Sequence, residues 1–492
     1  MSESRRAQVI FAPILNPRTN SGGGGVVDFY RDGAIACDED GIITFVGAAN
    51  DLDPSLASSR NSRRSTGIIT PPFLDAHTHV PQHPIRGRFL DGITEHPPEG
   101  RLLAGLNKNV FPAEARCADE NYAERVAVDF ARDALAQGVV GGAAYASIHM
   151  VATHLALQKL YPLWRVGLVL MEMNCPENLR LDIQQAERDM RYIAESFGER
   201  TIVTDRFAVA VGSDMRRMAS KLAERFGLRT QTHLNEQLRE KAYVEKYLYP
   251  KAGSYTEVYL RDGLLDPRDG GAGDGATSAG GAILAHCIHN TDAELAIIAR
   301  QSAAVAHCPT SNTLLCSGIM PLDQIADAGI PYAICTDVGA SPTMSMLAEM
   351  AQYLKVHAGR SKRATPSEAL YRATLAPAEI LGVTEWVGTF EVGRRMSLIE
   401  IEPLHELPAS CIADEAILTG LLGMSEADLN DPDRRLAMDA LAKVELDAGP
   451  QYDLLNHDLR GTADRLENRV ISVTLDGWQA WRRTPQAAAS AV

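Results

Sequence analysis

Residues 68–79 read Ile68-Ile69-Thr70-Pro71-Pro72-Phe73-Leu74-Asp75-Ala76-His77-Thr78-His79. An apolar run of strand length leads into an Asp-x-His-x-His pattern. The reading predicts a strand over residues 68–74 with both histidines at its C-terminal end. On an extended chain, residues i and i+2 point to one side, so two imidazoles can grip one metal ion from a strand end.

From residue 68 onward, apolar runs of strand length alternate with helical patterns. Strands are expected over 68–74, 139–146, 166–173, 202–211, 229–234, 282–287, 303–308 and 331–336. Between them lie periodic helices over 120–137, 213–226, 235–248, 291–301 and 344–357. In the first of these, Val126, Phe130 and Ala134 recur at four-residue spacing and Gly138 ends the run. Eight strand–helix units in about 300 residues suit a (β/α)₈ barrel, although alternation by itself also fits a doubly wound sheet.

Barrel enzymes carry their chemistry at the C-terminal ends of the strands. His233 ends the fifth predicted strand, His286 the sixth and Asp337 the eighth. Three histidines and a carboxylate suit zinc with water in the remaining position, and iron or manganese stay open on ligand type. Lys108, Lys159 and Lys221, the lysines between His79 and His233, are at no predicted strand end. That favours one metal per chain over two bridged by a lysine. Glu236 follows His233 by three residues and could reach the pocket as a proton shuttle.

The chain has 492 residues, a net charge of −15 and 45% hydrophobic residues, enough for a large core. The acidic balance argues against nucleic-acid and anionic-membrane partners. No apolar run reaches membrane-span length, and the N-terminus does not read as a signal peptide. Eight cysteines without a CxxC pair suit buried thiols in a reducing cytoplasm. The first 67 residues look β-rich, with Asp32-Gly33 and Asp40-Gly41 as turn signals. Residues 55–66 read as an exposed linker, and the Ser/Gly runs 21–25 and 270–281 as loops. Short strands return over 396–401 and 469–475, while 405–465 reads as surface helices and loops. The expected organisation is α/β. Residues 1–67 and 396–492, the latter with a helical insertion, form a small β-sandwich domain beside a barrel of residues 68–395.

Taken in order, Asp-x-His-x-His, Thr-His-x-x-Glu, Ala-His, His-Cys-Pro-x-Ser-Asn and Thr-Asp resemble the amidohydrolase superfamily in its mononuclear zinc deaminase branch. Within it the chain is most similar to the guanine deaminases. The marks are His77-Thr-His79-Val-Pro-Gln82, Phe111-Pro-Ala-Glu-Ala-Arg116, Asp205-Arg206-Phe207-Ala208, His307-Cys-Pro-Thr-Ser-Asn312 and Asp337-Val-Gly-Ala-Ser341. The resemblance implies one zinc held by His77, His79, His233 and Asp337. It implies catalytic roles for Glu236, Asp337 and His286, and purine contacts from Gln82, Arg206 and Phe207. The implied reaction is hydrolysis of guanine to xanthine and ammonia by a cytoplasmic enzyme. Barrels of this kind commonly associate, so a homodimer is compatible with the class.

The chain departs from the family pattern over residues 83–105, which cover the substrate in relatives, and at Asp205, where proline is usual. A pterin, an aminotriazine or a modified purine therefore stands as an alternative substrate. A catalytically silent binding or scaffolding relative is the alternative from another class.

Overall fold

The computed structural model describes residues 7–57, 61–93, 100–265, 281–443 and 450–484. Most of the expected glycine-rich loop 270–281, and part of the covering segment 83–105, lie outside the described residues.

Pro71-Pro72 splits the expected strand 68–74 in two, because proline has no N–H to give to a ladder. Ile68–Thr70 pairs antiparallel with residues 399–401 in the small sheet. Phe73–His79 is the first barrel strand and pairs in parallel with Val139–Tyr145. His77 and His79 therefore sit within the last turns of a paired strand and not in the loop beyond it.

The remaining barrel strands are Leu163–Gly167 continued by Val169–Leu170, Val203–Asp205, Thr230–Leu234, Ile283–His286, Ala304–His307 and Tyr332–Ile334. Their pairings are parallel throughout. The circle closes where Asp337 N–H donates to the His77 carbonyl at 3.0 Å and Thr336 N–H donates to Asp75 Oδ1 at 3.0 Å. That seam selects a closed barrel over an open doubly wound sheet. Several of the strands are shorter than their expected apolar runs, 331–336 narrowing to Tyr332–Ile334 among them. The run 202–211 is extended only to Asp205, which leaves Arg206 and Phe207 just past a strand end.

The outer helices follow the periodicity closely. Glu120–Ala136 buries Ala123, Val126, Ala127, Phe130 and Ala134 on one face, and the Asp119 carboxylate caps it by accepting from Tyr122 N–H. The helix expected over 235–248 starts at Leu238 and widens into a π turn from Val244. Glu236 thus sits in the strand-to-helix loop, not in a helical first turn.

The two ends of the chain combine. One sheet runs through Trp478–Arg482, Val470–Leu475, Leu398–Ile401, Ile68–Thr70, Gln8–Thr19, Gly25–Cys37 and Ile43–Ala48. In hydrogen-bonding terms the expected sandwich is one continuous sheet. The expected linker 55–66 contributes Ser62–Arg64, paired in parallel with Val9–Phe11. The segment 405–465 is more than surface cover. Pro432–Ala442 and Pro450–Leu466 bury Met438, Leu441 and Leu455 with Val356 of a barrel helix. Lys355 Nζ meets Asp458 at 2.9 Å beneath them.

Gly142, on the second strand, allows the first strand its close approach. A Cβ there would lie 1.8 Å from the Asp75 carbonyl oxygen, and backbone cannot move aside as a side-chain tip can. Gly142→Ala should cost about 3 kcal/mol of stability, read as a lower denaturation midpoint. It should also reduce metal content, because the displaced strand carries His77 and His79.

Candidate active site

His77, His79, His233 and Asp337 each offer one ligand atom, and these atoms lie within 4.8 Å of one another. Nε2 of His79 is 3.2 Å and Nε2 of His77 is 3.4 Å from Asp337 Oδ1. His233 Nδ1–H donates to the Arg206 carbonyl at 2.6 Å, which leaves its Nε2 lone pair as the free one. His77 Nε2 is buried without a hydrogen-bond partner. Burial pushes His79 down to about 3 and lowers His77 and His233. Burial raises the Asp337 carboxyl, but the His77 and His79 rings beside it outweigh burial and hold the group well below its ordinary range. Neutral imidazoles, an ionised carboxylate and an orphaned buried nitrogen fit a divalent metal, and three nitrogens with one oxygen fit zinc.

Beside this cluster, Glu236 Oε2 is 3.6 Å from His286 Nε2, and Ser317 Oγ donates to Glu236 Oε1 at 3.0 Å. Burial and the Asp337 charge push the Glu236 carboxyl up to about 8, so it carries its proton near neutrality. His286 Nδ1–H donates to Asn312 Oδ1 at 2.9 Å, which aims Nε2 at the site. Non-glycine residues hold left-handed backbone here: His286 at φ 72°, Asp337 at φ 52° and Asn235 at φ 52°. Such strain persists only where surrounding structure imposes it.

The cavity in front of the cluster is lined by His79, His233, Glu236, His286 and Asp337 on one side and by Gln82, Arg206 and Phe207 on another. Its roof is Phe89, Leu102, Leu106 and Leu315. Phe89 and Leu102 belong to the segment 83–105, so the sequence departures there do reach the cavity.

Glu114 is the functional candidate that sequence reasoning missed. Its Oε1 accepts from Gln82 Nε2 at 3.0 Å and from Arg206 Nη1 at 2.6 Å, all three residues being buried. The carboxylate can only accept, so it fixes the Gln82 amide with its nitrogen turned to Glu114 and its oxygen left over. That oxygen packs over Gly339, where a Cβ would come within 2.1 Å of it. Phe-Pro-Ala-Glu was visible as a motif, but nothing in its spacing says that its glutamate meets residues from two other loops. His307 lies behind the site, its Nε2 3.0 Å from His357 Nε2, and is not part of the ligand cluster.

Residues 68–424 match the model of the amidohydrolase family. The guanine deaminase of Escherichia coli (strain K12) is 28% identical over 349 residues, covering 68% of this chain and 73% of that one. A probable guanine deaminase of Deinococcus radiodurans is 28% identical over 424 residues, covering 81% and 90%. The fold is shared with a solved guanine deaminase from C. acetobutylicum with bound guanine in its active site. There the TM-score is 0.72 at 23% identity, over 97% of this chain and 100% of that one. The family match takes in the whole barrel and the His/Asp cluster, and the chain belongs to the amidohydrolase family.

Proposed function

We propose that this protein is a zinc-dependent aminohydrolase that converts guanine and water to xanthine and ammonia. The observation that carries the reading is one cavity in which Gln82 and Arg206, tied together by Glu114, face Glu236, His286 and the His77–His79–His233–Asp337 cluster. The similarity to guanine deaminases supports the choice of ring.

Zinc held by those four residues would supply Lewis acidity, lowering the pKa of water from about 15.7 towards ~7. Asp337 accepts the proton of the attacking water. Glu236 delivers its proton to the ring nitrogen beside the amino-bearing carbon, and Asp337 passes the water proton on to the departing amino group. The C–N bond then breaks to release ammonia, and Glu236 regains a proton from the added hydroxyl as that oxygen becomes the carbonyl. His286 Nε2, whose lone pair faces the site, accepts a hydrogen bond from the attacking water and orients it. With one Arg206 N–H committed to Glu114, the remaining guanidinium N–H groups are free to donate to a ring carbonyl. The Gln82 amide oxygen accepts a ring N–H, and Phe207 packs beside the ring. A ring edge with adjacent C=O and N–H satisfies this pair, as guanine does, whereas adenine offers neither group there. The altered roof of Phe89 and Leu102 favours a second reading, another 2-amino-oxo ring such as a pterin. Eight free thiols suit a reducing compartment, so a cytoplasmic location belongs to the proposal.

Purified enzyme should hold one zinc per chain, and His77→Ala or Asp337→Ala should lose both zinc and turnover while staying folded. Two metals per chain in active, dialysed enzyme would discard the mononuclear assignment.

Glu236→Gln should keep zinc and lower kcat by about 10²–10⁴. In the wild type, kcat/KM should fall as pH rises through about 8, where Glu236 loses the proton it must donate. That alkaline limb should be missing from the residual activity of the variant. Loss of zinc along with activity would make Glu236 a ligand or a support.

Glu114→Gln should retain zinc and lower kcat/KM for guanine by roughly 10–10²-fold, the worth of one charge-assisted hydrogen bond. Arg206→Ala should do more damage without lowering metal content. Adenine should be at least ~10³-fold poorer than guanine, because the site's buried donors would lack acceptors. An ammonia-release screen over guanine, adenine, a pterin and an aminotriazine decides the ring. Background turnover of guanine beside a fast alternative would discard guanine and keep the hydrolytic mechanism.

A further inference from the structure

Cys308 follows the seventh barrel strand directly and has no part in the mechanism above. Its Sγ shares a second cluster with His286 and Asp337, with ligand atoms within 4.8 Å of one another and all three residues buried. We propose that these three residues form a second, inhibitory cation site beside the first. It takes a thiophilic divalent ion such as Cd²⁺, or Zn²⁺ supplied in excess.

Each donor atom is available. His77 and His79 both approach Oδ1 of Asp337, which leaves Oδ2 for a neighbouring ion. His286 commits Nδ1–H to Asn312, so the lone pair on Nε2 is the one offered. Cys308 Sγ makes only a long contact, 3.6 Å, to the Ala306 carbonyl. As the metal–sulfur bond forms, the thiol proton passes to solvent. One nitrogen, one sulfur and one oxygen suit a soft or borderline d¹⁰ ion and leave a position for water. Sharing a carboxylate puts the two ions at the ~3.5–4 Å spacing of paired metal sites.

Three donors, one of them a buried thiol that must lose its proton, bind more weakly than the four of the first site, so the second site fills only when metal is in excess. Filling it withdraws His286 Nε2 and Asp337 Oδ2 from the reaction, which is why it inhibits. The inhibition rests on the proposed deaminase chemistry, while the binding does not.

The test is a Cd²⁺ titration of the one-zinc enzyme. Bound metal is read by elemental analysis after gel filtration, thiolate ligation by the ultraviolet charge-transfer band, and activity by ammonia release. One further equivalent should bind with a thiolate band, and turnover should fall at least tenfold and recover on mild chelation. Cys308→Ser should lose the band and the second equivalent but keep its zinc. Cys335→Ser, a buried thiol of the neighbouring strand outside the cluster, should keep both. If Cys308→Ser does not fold, His286→Asn serves the two binding readouts. No second equivalent, or a band that survives Cys308→Ser, overturns the site. A second equivalent with the band, in an enzyme that releases no ammonia from guanine, upholds the site and discards the guanine reading.

Discussion

Both oxygens of one buried carboxylate hold the barrel closed. Asp75 Oδ1 accepts from Thr336 N–H, and Oδ2 accepts from Thr336 Oγ1, across 261 residues of sequence. Burial pushes the Asp75 carboxyl up to about 6, and the hydrogen bonds from Thr336 limit that rise. The cost of burying this group is offset by what it aligns. The next residue after Thr336 donates its N–H to the His77 carbonyl, so the last strand is locked in register with the first. Asp337 then meets His77 and His79 at hydrogen-bond distance. Without that seam the cluster has no fourth member.

A second constraint couples the cavity lining to the His/Asp cluster. Arg206 gives its carbonyl to His233 Nδ1–H and its guanidinium to Glu114. The residue that orients His233 of the four-residue cluster is therefore also a residue of the cavity lining. Glu114 extends the link to Gln82, which leaves the first strand's loop only three residues after His79. A shift of the Arg206 backbone would disturb both groups at once. This gives a physical reason for Asp205 in place of proline. Its carboxylate accepts from Thr232 Oγ1 at 2.9 Å and from Tyr259 Oη at 3.0 Å, which anchors the strand end just before Arg206.

The terminal segments frame the barrel. The N-terminal strands and the last strands form one sheet, with Ile68–Thr70 as the join between them. The C-terminal helix Pro450–Leu466 reaches the mouth of the barrel, where Arg460 Nη2 donates to the Gly87 carbonyl at 3.1 Å and Tyr452 Oη to the Leu314 carbonyl at 3.3 Å. Gly87 and Leu314 flank the roof residues Phe89 and Leu315. The region from 405 onward, which read as surface, thus supports the roof over the cavity.

Local periodicity was enough to read alternating strands and helices that suit a barrel, and the histidines and carboxylates at the expected strand ends, His77, His79, His233, Glu236, His286 and Asp337, were enough to nominate the cluster. Those features repeat at short range, through side-chain alternation and helical spacing, so a linear string carries them. Only the tertiary structure divided Ile68–Thr70 from Phe73–His79, because two prolines within one apolar run do not say which sheet takes which half. Only the tertiary structure brought Glu114 to Gln82 and Arg206, and Cys308 to Asp337 and His286. Each of those meetings joins loops of separate barrel strands, and no spacing in the chain encodes the angle at which a closed barrel presents them. The same holds for the left-handed backbone at His286 and Asp337. Asp and His adopt it more readily than most residues, but at a given position the packed surroundings decide it.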